Sequence, residues 1–194
     1  MNGHRTLIRT IAALAASLLL AFSVGAEPGK PTVIKRHVKD HGQVYDLAAV
    51  IVPANSPVRY KGAAKASAEI AEFEGRFVLS GKYYYGWDGA LGQWRTIIEP
   101  DKAVPASLPS FEEAGGAREI YLDNPQDFAR GVLSKAQFAR VSRRHGSASG
   151  RTAIWADGLS AFVQCGYPWY AARFISDVKP APVLLAKARE FDAC

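Results

Sequence analysis

The 194-residue sequence has few of the residues on which several kinds of function depend. It holds one methionine, two cysteines and four histidines. A single methionine excludes a methionine-rich adaptive groove, and few histidines leave few places for a histidine-based mechanism. Apart from one stretch at its start, no apolar run approaches the roughly 20 residues of a membrane-spanning helix. With 48% apolar and 22% charged residues, the overall composition is typical of one globular domain.

Residues 1–26 have the pattern of a secretory signal peptide. Arg5 and Arg9 supply the positive charge, an apolar segment follows over residues 11–22, and small residues precede a cut before Glu27. We therefore expect a periplasmic or secreted protein with no membrane span after cleavage. An uncleaved anchor is the alternative, but the apolar segment is short for a span.

The two cysteines, Cys165 and Cys194, both follow the predicted leader. An even number of cysteines in an oxidising compartment favours a disulfide. We predict a bridge between them, which closes a loop of about 30 residues and stabilises the fold by about 3–4 kcal/mol in the chain-entropy model. Two free thiols are the alternative.

Several segments have clear strand or helix signals. Residues alternate with period two from Arg76 to Trp87, with one aromatic face and one largely polar face. Further strands are expected over residues 94–99 and 118–122. Asn124 followed by Pro125 predicts the start of a helix.

Asp157 and Gly158 lie between two β-rich segments and predict a two-residue hairpin turn. In that register one face would be the core. Its members are Thr152, Ile154, Ala156, Leu159, Ala161 and Val163. A strand over residues 170–178, with Val178 on its apolar side, and a C-terminal helix burying Leu184 and Leu185 are predicted to follow.

These elements predict an α+β fold, mainly antiparallel β: a small OB-like barrel with one internal helix and a C-terminal helix. Residues 27–66 are expected to form a basic N-terminal arm with one strand. Residues 67–194 are expected to form the barrel-like domain, and the two parts to make one folded unit.

No catalytic constellation emerges from the sequence. His37 and His41 have the spacing of metal ligands on a helix, but no glutamate of a metalloprotease motif accompanies them and Gly42 disfavours a helix. A solvated basic arm is the preferred interpretation. We predict no metal, no cofactor and no assigned catalytic residue.

The positive signal is the combination of basic and aromatic residues on predicted strands. Residues 128–156 contain six lysines or arginines and no acid. OB-type surfaces bind extended polymers with stacking aromatic rings and cationic side chains. The candidate ligand-binding residues are Lys82, Tyr84, Arg140, Arg143, Arg144, Arg151, Trp155 and Phe162.

The sequence thus favours a non-catalytic binding protein whose partner is an anionic or carbohydrate polymer or another envelope protein. Nucleic acid fits the predicted location less well. Two alternatives stay open at this point. One is a small envelope hydrolase with an unrecognised acidic site, and the other is an inhibitor or immunity-type module with an exposed aromatic patch.

Overall fold

A computed structural model of the chain describes residues 29–40, 42–112, 115–143, 145–164, 167–179 and 183–186. Within these ranges the strands are β1 (Thr32–Asp40), β2 (Gln43–Val52), β3 (Arg59–Ala63), β4 (Ala71–Glu74), β5 (Phe77–Asp88), β6 (Gln93–Pro100), β7 (Ser110–Phe111), β8 (Ile120–Leu122), β9 (Ser147–Gln164), β10 (Tyr167–Lys179) and β11 (Val183–Ala186). The α-helices are α1 (Pro125–Val132) and α2 (Lys135–Arg143). No helix in the described ranges is long and apolar enough to cross a membrane.

Five strands close into a barrel, which confirms the predicted α+β, mainly antiparallel, OB-like fold. β5 pairs with β6 and β6 with β8, both antiparallel, and β8 runs parallel to β10. β9 closes the ring by pairing antiparallel with β10 and β5. The two helices lie between the third and fourth barrel strands in chain order. In OB barrels the face of the second and third strands binds extended ligands, and here those strands are β6 and β8.

The period-two pattern of β5 places one of its faces in the core, as predicted. Phe77, Leu79, Tyr83 and Tyr85 are buried inside the barrel. Gly81 lies between them where β5 and β6 approach each other closely, and a Cβ there would lie 2.1 Å from the carbonyl oxygen of Glu99. This pairing therefore requires glycine at position 81.

β9 continues through Asp157 and Gly158, so the predicted hairpin at these residues is wrong. Gly158 has the positive φ of 61° that a turn glycine adopts, but the β9–β10 register shifts here, so it forms part of a bulge. The extra residue bends the strand and keeps the same face inward on both sides. The predicted core residues Thr152, Ile154, Ala156, Leu159 and Ala161 are therefore buried. The hairpin lies further on, with Gln164 opposite Tyr167.

The segment before the barrel contains more strands than predicted, since β1, β2 and β3 all fall within residues 27–66. β1, β2 and β7 form a small sheet, while β3 and β4 extend the barrel sheet beside β9. Arg36 on β1 is buried, donates to the carbonyl of Glu69 at 2.7 Å and lies over the ring of Phe111. The small sheet consequently shares the core of the barrel.

α1 begins at Pro125 as predicted, and Phe128 inserts from it between Tyr83 and Phe174. The side chain of Asn124 does not cap the helix. Its amide oxygen accepts the N–H of Phe174 at 2.8 Å, and its amide nitrogen donates to the carbonyl of Phe174 at 3.0 Å. This pair of hydrogen bonds fixes the start of α1 to β10.

The C-terminal part differs from the prediction in two respects. Residues Val183–Ala186, predicted to begin a helix, form β11, because the first residues of β9 leave an edge with which this segment pairs. Val178, predicted on the apolar side of its strand, is exposed, because register shifts along β10 reverse the alternation. Residues 1–26, Cys165, Cys194 and residues 187–194 lie outside the described ranges.

Candidate binding cleft on the barrel face

A cleft of about 530 Å³ opens on the barrel face formed by β6 and β8. These strands pair only at Ile97 opposite Tyr121 and Ile98 opposite Ile120. The first residues of β6 therefore separate from the end of β8, and the space between them is the cleft. It extends across the beginning of β10 to Phe162 near the end of β9. This position coincides with the ligand-binding face of OB barrels.

A row of stacked side chains forms one wall of the cleft. The guanidinium carbon of Arg95 lies 4.8 Å from the ring centroid of Tyr121. Tyr121 stacks on Trp169 with centroids 4.9 Å apart and planes at 23°. Trp169 in turn lies 6.2 Å from Phe162 with planes at 17°. We call Arg95, Tyr121, Trp169 and Phe162 the aromatic row. It crosses four barrel strands.

Strand alternation explains why these side chains face outward. Tyr121 lies between the buried residues Ile120 and Leu122, and Trp169 precedes the buried Tyr170. Each ring of the row is half-buried by its neighbours and keeps part of its surface accessible. Stacked rings on a rigid sheet form a platform whose exposed edges can contact a ring-bearing ligand.

Asp88 holds Arg95 in place. Its carboxylate accepts N–H groups from Ala90 at 3.0 Å and Leu91 at 3.1 Å, and a guanidinium N–H of Arg95 at 3.0 Å. Burial of Asp88 alone would raise its pKa, but hydrogen bonds from Leu91, Arg95 and Ala90 and the charge of Arg95 outweigh it, so the pKa is lowered. The positive charge in the cleft is thus balanced by a buried carboxylate.

A second lobe of about 380 Å³ continues the cleft toward α1. It shares Gln93, Trp94 and Pro125 with the first lobe. Asp127 and Arg130 also line it, and they form an ion pair at 3.2 Å. The two lobes together form an elongated groove, which suits a ligand of more than one unit.

Trp94 lies where the two lobes meet and belongs to a further aromatic cluster. It stacks on Tyr85 with centroids 5.0 Å apart, and Trp87 packs edge-on against it at 5.5 Å. His145 stacks on Trp87 at 4.6 Å and has a φ of 44°. These contacts immobilise Trp94 from inside the barrel.

Two polar groups in the first lobe lack partners among the described residues. The hydroxyl of Thr96, a residue that is 1% exposed, accepts and donates no hydrogen bond there. Asp123 is accessible, yet the surrounding protein removes enough water from its carboxyl to raise its pKa. The Asp123 carboxyl is accessible to the hydroxyl or amino groups of a ligand, whereas the Thr96 hydroxyl is enclosed by the protein.

The structure divides the sequence-predicted binding residues among separate surfaces. Lys82, Tyr84, Arg151 and Trp155 lie on the outer face of β5 and β9, away from the cleft. Lys82 pairs with Glu99 at 3.7 Å, and Arg151 forms an ion pair with Asp101. The charges of Lys82 and Arg151 are therefore largely balanced.

Arg140 and Arg143 are exposed on α2, and Arg144 lies outside the described residues. Phe162 lines the cleft. Sequence reasoning missed Arg95, Tyr121, Asp123 and Trp169. The signal for Trp169 was present, because placing Tyr170 inward on its strand places residue 169 outward.

No group of three potential metal ligands occurs among the described residues. The Nδ1–H of His37 donates to the Asp46 carboxylate at 2.6 Å across the β1–β2 hairpin, while His41 lies outside the described ranges. Comparison with protein-family models, with curated proteins and with solved structures gave no match.

Proposed function

We propose that this is a non-catalytic binding protein that holds a carbohydrate chain in the groove on its barrel face. The observation that carries the proposal is the aromatic row, which lies on the β6–β8 face where OB barrels bind oligosaccharides and oligonucleotides. The apolar C–H groups of a sugar ring can pack against the parts of these rings that their neighbours leave exposed. Its hydroxyl groups then reach the polar groups of the cleft.

The charges in the groove favour a carbohydrate over an anionic polymer. Binding a polyanion requires several lysines or arginines that can replace its counterions. Arg95 in the first lobe is neutralised by Asp88, and Arg130 in the second by Asp127. Asp123 adds a carboxylate that would repel an anion.

The number and pairing of the carboxylates in the groove favour binding over hydrolysis. Most glycosidases place two carboxyl groups on either side of the bond they cleave. Among the described residues lining the two lobes, the carboxylates are Asp123 and Asp127, and Asp127 is held in an ion pair with Arg130 at 3.2 Å. Export by the predicted leader would expose the groove to the saccharides of the cell envelope or its surroundings.

A panel of soluble oligosaccharides, measured by isothermal titration calorimetry, tests the proposal. The wild-type chain should bind at least one of them, and Trp169→Ala should weaken that binding about tenfold or more, because a stacking ring contributes about 1–3 kcal/mol. Trp155→Ala is the matched control. This residue is 42% exposed on the β5–β9 face, so its loss should leave affinity unchanged.

Three results would contradict the proposal. The first is no binding to any member of the panel. The second is equal loss of affinity in both tryptophan variants, and the third is release of shorter products during prolonged incubation with the wild-type chain.

A further inference from the structure

The distribution of charge within the groove narrows the class of carbohydrate. Four charged side chains line its two lobes: Arg95, Asp123, Asp127 and Arg130. Arg95 is paired with Asp88 at 3.0 Å, and Asp127 with Arg130 at 3.2 Å. Asp123 forms no side-chain hydrogen bond or ion pair with any residue that the structure describes. The groove therefore carries one uncompensated negative charge.

Asp123 lies between the aromatic row and the second lobe. It follows Tyr121 by two residues and precedes Pro125, which belongs to both lobes. Its backbone N–H donates to the carbonyl of Ala172 on β10 at 3.0 Å, which fixes its position relative to the row. A ligand ring packed against the exposed edges of Tyr121 or Trp169 would therefore carry its substituents toward this carboxylate.

We propose that the saccharide held in the groove carries a protonated amino group, as a glucosamine polymer does, and that Asp123 binds this group. The inference rests on the proposed carbohydrate-binding function. A charge-assisted hydrogen bond between an ammonium and a carboxylate is about twice as strong as one between neutral groups. The N–H donors of an ammonium group also match a carboxylate that has no partner among the described residues.

The geometry favours an amine over a metal ion as the missing positive charge. Calcium takes six to eight oxygen ligands, and magnesium needs a nearly octahedral set. Asp123 is a single carboxylate, and no group of three potential ligands occurs among the described residues. Removal of water around its carboxyl raises its pKa, and an ammonium group at this position would reverse that shift.

Three oligosaccharides of equal length with the same β-1,4-linked backbone test the inference. They are a glucosamine oligomer, its N-acetylated counterpart and a cello-oligosaccharide, which has a hydroxyl in place of the amine. Isothermal titration is carried out at low salt, where charge attraction is least screened, and at a pH of about 6, below the ordinary pKa of about 7.7–8.0 of an α-amino group. We expect the glucosamine oligomer to bind at least tenfold more tightly than the other two.

Asp123→Asn should remove this preference, so that the glucosamine oligomer binds no more tightly than the cello-oligosaccharide does. Asp46→Asn is the matched control, because it removes the same charge from the β1–β2 hairpin. It should leave the preference intact. Circular dichroism of both variants establishes that they are folded.

The outcomes separate this inference from the proposed function. Equal binding of all three oligomers, or a preference that survives in Asp123→Asn, would overturn the amine inference and leave carbohydrate binding supported. If none of the three oligomers binds, and Trp169→Ala changes the affinity for no member of the wider panel, both the amine inference and the proposed function are overturned.

Discussion

Tyr121 and Trp169 stack with ring centroids 4.9 Å apart across the parallel pairing of β8 with β10. The two residues are far apart in the sequence. Closure of the barrel brings their strands together, and alternation turns both rings toward solvent while Ile120 and Tyr170 enter the core. The platform is therefore a product of the fold, and its rigidity is that of the sheet beneath it.

The hydrogen bonds of Asp88 predict a loss of stability in acid. Its folded-state pKa is lowered, so its contribution is present above the unfolded pKa of about 4 and is lost as the pH falls through the lower folded value. Asp88→Asn should lower the free energy of unfolding at pH 7 by about 2–3 kcal/mol, because it removes a buried charged acceptor that binds Arg95 and two backbone N–H groups. Urea unfolding between pH 2 and 7 measures both effects. A pH dependence that is unchanged in the variant would contradict the role assigned to Asp88.

The close approach of β5 and β6 predicts that Gly81→Ala destabilises the barrel. The added Cβ would lie 2.1 Å from the carbonyl oxygen of Glu99, so the strands would have to separate. We expect a loss of about 2–3 kcal/mol, typical of overpacking against backbone. Gly89→Ala is the control, since nothing lies within 4 Å of a Cβ there. Chemical unfolding should show a change of less than about 0.5 kcal/mol for the control, and equal effects would refute the argument.

Tyr83 predicts a response to alkaline pH. Burial raises its pKa to about 12, so stability present below the unfolded value of about 10 is lost as the pH rises from there through 12. Its buried hydroxyl has no hydrogen-bond partner among the described residues, so Tyr83→Phe should cost little at pH 7. Unfolding curves at pH 7 and pH 11 should show the variant losing less stability at the higher pH. A large loss in the variant at pH 7 would indicate an unrecognised hydrogen bond.

The double hydrogen bond from Asn124 to Phe174 predicts a role in fixing α1 to β10. Asn124→Ala removes both bonds and should lower the free energy of unfolding by about 2 kcal/mol. Asn124→Asp retains the acceptor for the Phe174 N–H but places a carboxylate oxygen against the Phe174 carbonyl, so its loss of stability should be larger than that of the alanine variant. Thermal unfolding of the two variants tests this order. Alanine at no cost would show that the bonds do not stabilise the junction.

The barrel could be predicted from the sequence where a pattern is local. The alternation of β5 and the inward face of β9 follow from period-two spacing, and both are found. The hairpin predicted at Asp157 and Gly158 failed because positive φ suits a bulge as well as a turn. Only pairing with distant strands decides between them, and that pairing is not a local property.

The candidate site was harder to predict for the same reason. The basic residues Lys82 and Arg151 drew attention in the sequence, yet the fold places acids from other segments beside them. The aromatic row combines residues from four strands. β8 has only three residues, too few for an alternating pattern to be recognised in the sequence. Phe162 lies on the non-core face that the sequence predicts for it and lines the cleft, even though the predicted hairpin does not form.

Nuclear magnetic resonance of the tryptophan indole N–H groups tests the central claim most directly. The chain has four tryptophans, and single Trp→Phe variants assign their signals. On titration with the best-binding oligosaccharide, the signals of Trp169 and Trp94 should shift progressively while that of Trp155, on the β5–β9 face, stays in place. A shift of the Trp155 signal with no change at Trp169 would contradict binding in the cleft.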